Sequence, residues 1–400
     1  MNLKMNWNSD QRLTIKEAVD HVKHQTSEQI YQFSGAAGTG KTQVLKEIIR
    51  RLNIPLSKVA AMTYIGQAAN VLRTRGIWSA KTAHSWLYEV KEVPVIENGV
   101  QVMDEVFNKP KIKYEFVPRD LSNIEYIIID EAFTFPLRMK QDVLNIGKPI
   151  IATGDVNQLP PVMDKPAFLV DGKIRYLREI MRQSTDSDIP YIADRILKNQ
   201  PISAGMYRGV LVIEEKDLTD EMIKNANIVL CGTNKTRDKY NTYIRNNILG
   251  FHTRLPLLGE KVICRKTNWN LEIDGISLTN GLIGQVIKAP EVETFDGRQF
   301  FIDFKPDLME SSFINLGCDY DYFIADHNMR NKIKGSPYSI GEKFEFAYSI
   351  TTHLSQGAQY PSGIYIKEYL NKDIQKNLDY TGVTRFKKFL IYIIPSKKYF

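Results

Sequence analysis

Eight consecutive residues, Gly35-Ala36-Ala37-Gly38-Thr39-Gly40-Lys41-Thr42, have the types and spacing of a loop that holds phosphate. Glycines leave room for backbone N–H groups to turn inward around phosphate oxygens. A helix beginning directly after the loop adds a field that favours negative charge. Lys41 is then placed to neutralise the outer phosphates and Thr42 to hold a magnesium ion. The plain alternative is a glycine-rich turn before a helix. The strand-like run 30–33 before the loop, and the apolar spacing Val44, Leu45, Ile48, Ile49, Leu52 after it, favour the phosphate reading. The expected ligand is a nucleoside triphosphate.

Further along, Asp130-Glu131 follows the apolar run 126–129. At the end of such a strand Asp130 can hold magnesium, directly or through water, and Glu131 can orient and deprotonate an attacking water. Next comes Gly154-Asp155-Val156-Asn157-Gln158-Leu159-Pro160-Pro161-Val162. Gln158 is expected near the γ-phosphate, and the two prolines stiffen the loop because proline fixes φ. Arg182 and Arg385 are candidates for a charge clamp. An arginine reaching a transferring phosphoryl group from another domain can contribute roughly 10³–10⁵ in rate. The Gln11 amide can donate to and accept from the exposed edge of adenine. Taken alone, Gln11 reads as an exposed helix residue.

These groups need elements to position them. The first part of the chain alternates strands and helices: strands at 30–33, 58–62, 126–129 and 149–153, helices around Ile15, after the loop, and around 67–73. Residues 88–118 alternate charged and β-branched types around Asn98-Gly99, a hairpin signal. A second α/β pattern starts near 175, with a strand at 227–231, a helix at 235–248 and strands at 344–347, 363–366 and 389–393. Residues 256–340, rich in Gly, aromatic and β-branched types, interrupt it and read as a small inserted β subdomain.

The chain has 400 residues, enough for two or more domains, and a formal net charge of +7 that modestly favours a polyanionic partner. Cys231, Cys264 and Cys318 are widely spaced, which suits a reducing compartment and suggests neither zinc nor disulfides. No apolar run is long enough to span a bilayer, and the N-terminus lacks the apolar core of a signal peptide. The expectation is a soluble, cytoplasmic protein with no membrane partner. His21 and His24 lack metal-ligand company and read as surface residues.

In order and spacing, Gln11, 35–42, Thr63, Thr82-Ala83-His84, Asp130-Glu131, 154–161, Arg182, Thr233-Asn234, Ser355-Gln356-Gly357 and 381–385 resemble the motif series of superfamily-one helicases. The likeness is nearest to the RecD/Pif-like branch, and within it to the small Dda-type helicases of phages. It implies an α/β fold of two RecA-like P-loop domains, with ATP and Mg²⁺ between them. The first domain would cover 1–170 and carry the 88–118 hairpin as a strand-separating pin. The second would comprise 171–255 and 341–400, with an SH3-like subdomain at 256–340.

The resemblance further implies single-stranded DNA as track, 5′→3′ movement and forked duplex as substrate. DNA contacts would map to Thr63, Thr82 and His84 in the first domain and to Thr233, Asn234, Thr352 and His353 in the second. Ser355, Gln356 and Gly357 would couple nucleotide to DNA, with Gly357 at the nucleotide. Trp86, Tyr64 and Trp269 are candidates for stacking on bases, worth roughly 1–3 kcal/mol each, against a plainer role as core aromatics. Val100, Val102 and Phe107 are candidates for the apolar tip of the pin. A monomer is expected, in a phage-infected host cytoplasm and in DNA replication, with a single-strand-binding protein or replisome component as partner.

The chain departs from the family at Met62, where proline is usual, at Leu354, where lysine is usual, and at Phe133, where a small or hydroxyl residue is usual. Two other readings stand beside the helicase. One is a single-strand translocase that strips proteins without efficient unwinding. The other is an ATP-controlled clamp with little turnover, for which Glu131 and Arg385 would be superfluous. RNA as track is a further variant, decided by the 2′-OH environment.

Overall fold

The computed structural model describes residues 6–24, 28–97, 99–104, 109–110, 112–181, 187–291, 297–334, 340–370 and 372–395. Their contacts divide the chain into two units. One comprises Met1–Ala80, Ile124–Thr253 and Phe346–Phe400, the other Lys81–Asn123 and Arg254–Glu345.

The first unit contains two largely parallel sheets. In one, strands Ile174–Leu177, Ile30–Gly35, Ile150–Gly154, Tyr126–Ile129 and Val59–Thr63 lie side by side in that order. The register pairs Ser34 with Gly154, and Ile129 with both Ala152 and Met62. The C-terminal ends of these strands therefore lie along one edge, so the loops that follow them emerge together, as parallel α/β sheets require of a ligand site. The strands are short β-branched runs buried on both faces. Helices Ser9–Lys23 and Lys41–Leu52 cover one face, burying Ile15, Val19, Val44 and Ile48 against Phe33, Ile128 and Ile151. Because 174–177 pairs with 30–35, this sheet continues to Leu177, past residue 170.

The second sheet has the order Gly205–Tyr207, Val210–Glu214, Phe386–Ile394, Tyr360–Ile366, Val229–Cys231 and Ser349–Thr351, parallel apart from its first pair. The expected helix at 235–248 runs as an α-helix over Asn234–Tyr243 and widens to a π-turn over Ile244–Ile248. One expected strand lands elsewhere. Residues Phe344–Phe346 join the antiparallel sheet of the other unit, and the parallel sheet is resumed only at Ser349–Thr351. Periodicity could not separate the two, since each is only three residues long.

In the second unit, Tyr88–Pro94 and Ile112–Pro118 form a seven-pair antiparallel ladder, Tyr88 opposite Pro118 and Pro94 opposite Ile112. Beyond it lie two shorter pairings, 96–97 with 100–101 and 103–104 with 109–110. Gly99 takes a positive φ of 78° at the turn. Asn98 and Phe107 lie outside the described residues. Val100 is exposed and Val102 is half-buried, and Ile96 and Met103 are also exposed. Residues 254–345 supply an antiparallel sheet in the order Phe313–Asp319, Gln299–Pro306, Ile283–Lys288, Lys261–Cys264 and Phe344–Phe346. Phe300, Phe304, Phe313 and Phe344 fill its core. A separate antiparallel pair, Asn268–Ile273 with Ile276–Leu278, carries Trp269, whose ring lies 5.5 Å from His84 and 6.2 Å from Phe116, and Tyr88 lies 5.7 Å from Phe116.

Among the described residues no helix is long and apolar enough to cross a membrane. His21, read as a surface residue, is buried, with its Nε2 3.2 Å from the Gln29 carbonyl. Burial pushes its imidazole below the usual range.

Candidate active site

The loop 36–40 leaves the 30–35 strand and enters the Lys41–Leu52 helix. Gly40 sits in the left-handed region at φ 84°, and a Cβ there would lie 2.9 Å from Gln11 Nε2. Gln11 is buried, only 2 % exposed, rather than exposed as its sequence context suggests. Asn8 and Gln11 form a reciprocal capping box, in which Asn8 Oδ1 accepts from Gln11 N at 2.8 Å and Gln11 Oε1 accepts from Asn8 N at 3.2 Å. Gln11 Nε2 donates to the Thr39 carbonyl at 3.1 Å. The amide thus joins the start of its own helix, through Oε1, to the loop, through Nε2. Lys41 Nζ donates to the carbonyls of Gly35 at 2.6 Å and Ala36 at 3.2 Å.

Asp130 and Glu131 follow the 126–129 strand. Glu131 has a positive φ of 51°, and its N–H donates to Asp130 Oδ1 at 2.9 Å. A non-glycine residue held there is strained, of the kind found at functional sites. Burial, and after it the charge of Glu131, push the Asp130 carboxyl up to about 6, with Lys41 and Arg75 pulling the other way. Asp130 and Thr42 line the same cavity, and a carboxylate and a hydroxyl oxygen are donors that suit a divalent cation. Among the described residues no group of three or more His, Cys, Asp or Glu side chains could hold a metal ion.

Lys41, Thr42, Asp130, Glu131, Gln158, Gly357 and Arg385 line one cavity of about 380 Å³, together with Ala37, Gly38 and Gly40. Arg182 lies outside the described residues, and its neighbour Met181 is on the cavity wall. Gly357 reaches it because its backbone, at φ 76°, passes so close to the helix at Ala68 that a Cβ would be 2.7 Å from the alanine methyl. Arg385 is buried, its guanidinium donating to the carbonyls of Thr381 at 3.2 Å and Ala358 at 3.3 Å.

One lining residue has no sequence signature. Arg75, just past the Gly66–Thr74 helix, donates from Nη1 to Thr42 Oγ1 at 2.5 Å and from Nη2 to Gln359 Oε1 at 3.3 Å. Only the fold reveals it, because its partners are 33 and 284 residues away.

The loop after strand 150–154 is gripped from the second sheet's side. Tyr380 Oη donates to Asp155 Oδ2 at 2.6 Å, and Thr381 Oγ1 accepts from Leu159 N at 2.9 Å. Gln356 Nε2 donates to the Leu159 carbonyl at 2.8 Å, and Asn377 Nδ2 to those of Asn157 at 2.9 Å and Gln158 at 3.1 Å. Gln158 Oε1 is buried without a hydrogen-bond partner among the described residues. An orphaned acceptor in a polar cavity is a place for a donor from a ligand or water.

The residues assigned to DNA divide differently. Thr63 and Thr352 are fully buried, their hydroxyls donating to the carbonyls of Ile65 at 2.9 Å and Cys231 at 3.1 Å. Thr82 caps the helix Ala83–Leu87, accepting from Ser85 N at 3.2 Å. In this structure Thr63 and Thr82 serve local turns and Thr352 ties its segment to the neighbouring strand at Cys231. Thr233 caps the 234–243 helix, and its hydroxyl and N–H both donate to Glu368, each at 2.9 Å. Asn234, His353 and Trp86 are half-buried, and Trp86 has Lys81 Nζ 5.9 Å from its ring centre. His84 belongs to the ring cluster with Trp269.

Residues 16–164 match the family model described as AAA domain. The chain is 24 % identical over 438 aligned residues to an uncharacterised protein of Methanocaldococcus jannaschii, covering 91 % of this chain and 36 % of that one. It is 24 % identical over 421 residues to the RecD subunit of the RecBCD enzyme of Buchnera aphidicola, covering 89 % of this chain and 68 % of RecD. The chain thus spans about a third of the archaeal relative's length. Among solved structures it is similar to Pif1 helicase from Bacteroides in complex with ADP-AlF3 and single-stranded DNA, with a TM-score of 0.55 at 15 % identity over 98 % of this chain and 95 % of that one. The fold expected from the motifs, two RecA-like α/β domains, is borne out, as is the resemblance to the RecD/Pif-like branch.

Proposed function

We propose that this RecD/Pif-like chain is an ATP-driven DNA motor that moves 5′→3′ along a single strand and separates duplex ahead of it. The observation that carries this reading is the presence of Arg385 in the same cavity as Lys41 and Glu131. A lysine, an acid and a distant arginine around one phosphate-binding loop are the parts that phosphoryl transfer to water needs.

The groups have these roles. The backbone of 36–40 and Lys41 bind the phosphates, and Gln11 holds the loop in shape. Thr42 and Asp130 would hold magnesium, which when bound draws charge from the β- and γ-phosphate oxygens. Glu131 orients the attacking water and takes its proton, and Gln158 offers its free carbonyl oxygen to a hydrogen of that water. Arg385 meets charge developing on the γ-phosphoryl group, and Arg182 is assigned the same task. Arg75 fixes the Thr42 hydroxyl. When the γ-phosphate departs, Lys41 and Gln158 lose the charge they share with Arg385, and the contacts gripping the 155–159 loop relax. That change is the stroke.

Thr233, Asn234, His353, His84 and Trp86 are proposed to meet the strand, while Thr63, Thr82 and Thr352 hold the backbone that presents it. Hydroxyls and backbone amides bind sugar-phosphate without reading sequence. The 88–118 hairpin is proposed as the pin. Unwinding of forked substrates carrying only a 5′ or only a 3′ single-stranded tail tests activity and direction together. The 5′ tail should be required, and equal unwinding from the 3′ tail would refute the direction.

A further inference from the structure

Residues 158–164 form one short span whose ends serve different places. At its start Gln158 lines the nucleotide cavity, and Leu159 is fixed by Thr381 and Gln356. Pro160 and Pro161 stiffen the middle. At its end Asp164 holds Arg138, with Oδ2 accepting from the Arg138 N–H at 3.4 Å and from Nη1 at 3.5 Å. The Leu137 N–H donates to the Lys165 carbonyl at 2.8 Å, so the two segments are also joined through backbone. Arg138 Nη2 in turn donates to the Tyr64 phenol oxygen at 3.0 Å. Tyr64 directly follows Thr63 at the end of the 59–63 strand, its ring 6.2 Å from that of buried Phe135.

The Arg138 side chain is 59 % exposed and its ion pair is loose. Such a pair contributes little to stability. Its consequence is geometric: a guanidinium fork with one arm on Asp164 and the other on Tyr64 sets the ring by where Asp164 stands. We propose that Arg138 is a positioning residue that ties the Tyr64 ring, as a platform for a nucleic-acid base, to the nucleotide state felt at Gln158. This rests on the motor reading above. Movement of Gln158 on loss of the γ-phosphate is passed along a proline-stiffened segment to Asp164 and from there to the phenol. Met163, fully exposed at φ 57°, and Val162, 63 % exposed, lie on the same span and offer apolar surface beside the ring's anchor.

The test is binding of a fluorescent oligothymidylate, measured with ADP–aluminium fluoride and with ADP. The wild type should show a Kd ratio of about five-fold or more between the two states, the lower end of ordinary coupling. Arg138→Ala should bring the ratio close to one at an unchanged melting temperature. Tyr64→Phe keeps the ring and removes only the acceptor, and it should do the same. A full ratio in either variant overturns the relay. A wild type that binds the strand equally in both states also overturns it, while leaving DNA binding intact. A wild type that binds no strand at all overturns the motor reading instead.

Discussion

Tyr380 donates its phenolic hydrogen to Asp155 at 2.6 Å, and the same oxygen accepts the N–H of Ala37 at 3.4 Å. One hydroxyl therefore links a helix of the second sheet, the loop after strand 150–154 and the phosphate-binding loop. Burial and the Asp155 charge hold its pKa well above the usual tyrosine range, so it stays protonated and able to donate. Tyr380→Phe leaves a buried carboxylate and a backbone N–H short of a partner. The expected cost is about 1–3 kcal/mol, read as a lower melting temperature and weaker ATP binding. Unchanged values for both would show that the link carries nothing.

Glu131→Gln keeps the shape of the side chain and removes the base. Nucleotide should still bind, and hydrolysis with DNA should fall by roughly 10²–10⁴. Equilibrium binding of a fluorescent ATP analogue, set against steady-state turnover, separates the two. Turnover close to wild type would move the base elsewhere.

The pin can be removed without dismantling its foundation. Deleting 92–112 spares the pairs from Tyr88–Pro118 to Lys91–Glu115 and the rings of His84, Tyr88, Phe116 and Trp269. DNA-stimulated ATP turnover should persist and duplex unwinding should be lost. Unwinding at full rate would assign strand separation to another element, and loss of both activities would make the hairpin part of the track.

His353 gives the stability a pH dependence with a definite sign. Burial lowers its pKa below 6.5, so the fold favours the neutral ring. As pH falls below that value the unfolded chain takes up a proton that the folded chain resists, and stability drops. His21 acts in the same direction for the same cause. His353→Gln removes one such group. Its melting temperature should fall less than that of the wild type between pH about 7.5 and about 5.5. An equal fall would exclude this histidine as a source.

The chemistry legible in the sequence is the chemistry that is local in sequence. Gly35–Thr42 and Asp130-Glu131 declare themselves because a phosphate cradle and a strand-end acid pair are built from neighbours. Arg75 and Asn377 could not be found that way, since each acts on a group far along the chain. The plain reading of Gln11, an exposed helix residue, does not hold, because an isolated helix position gives no hint that the amide turns under the loop to Thr39. Thr63 and Thr352 have the expected residue types, but their buried hydroxyls are bonded to backbone carbonyls, that of Thr63 in its own turn and that of Thr352 on the neighbouring strand at Cys231. The strand 344–346 belongs to a different sheet from the one its sequence suggests, because three residues, Phe-Glu-Phe, carry no record of their neighbours.

The most direct test is ATP turnover by the wild type and by Arg385→Ala, with and without saturating single-stranded oligonucleotide, at matched nucleotide occupancy. The wild type should be strongly stimulated by the oligonucleotide, and the variant should bind nucleotide yet lose roughly 10³-fold or more of the stimulated rate. A variant that keeps stimulated turnover within a few-fold of wild type would remove Arg385 from the reaction, and with it the claim that two sheets close on one phosphate.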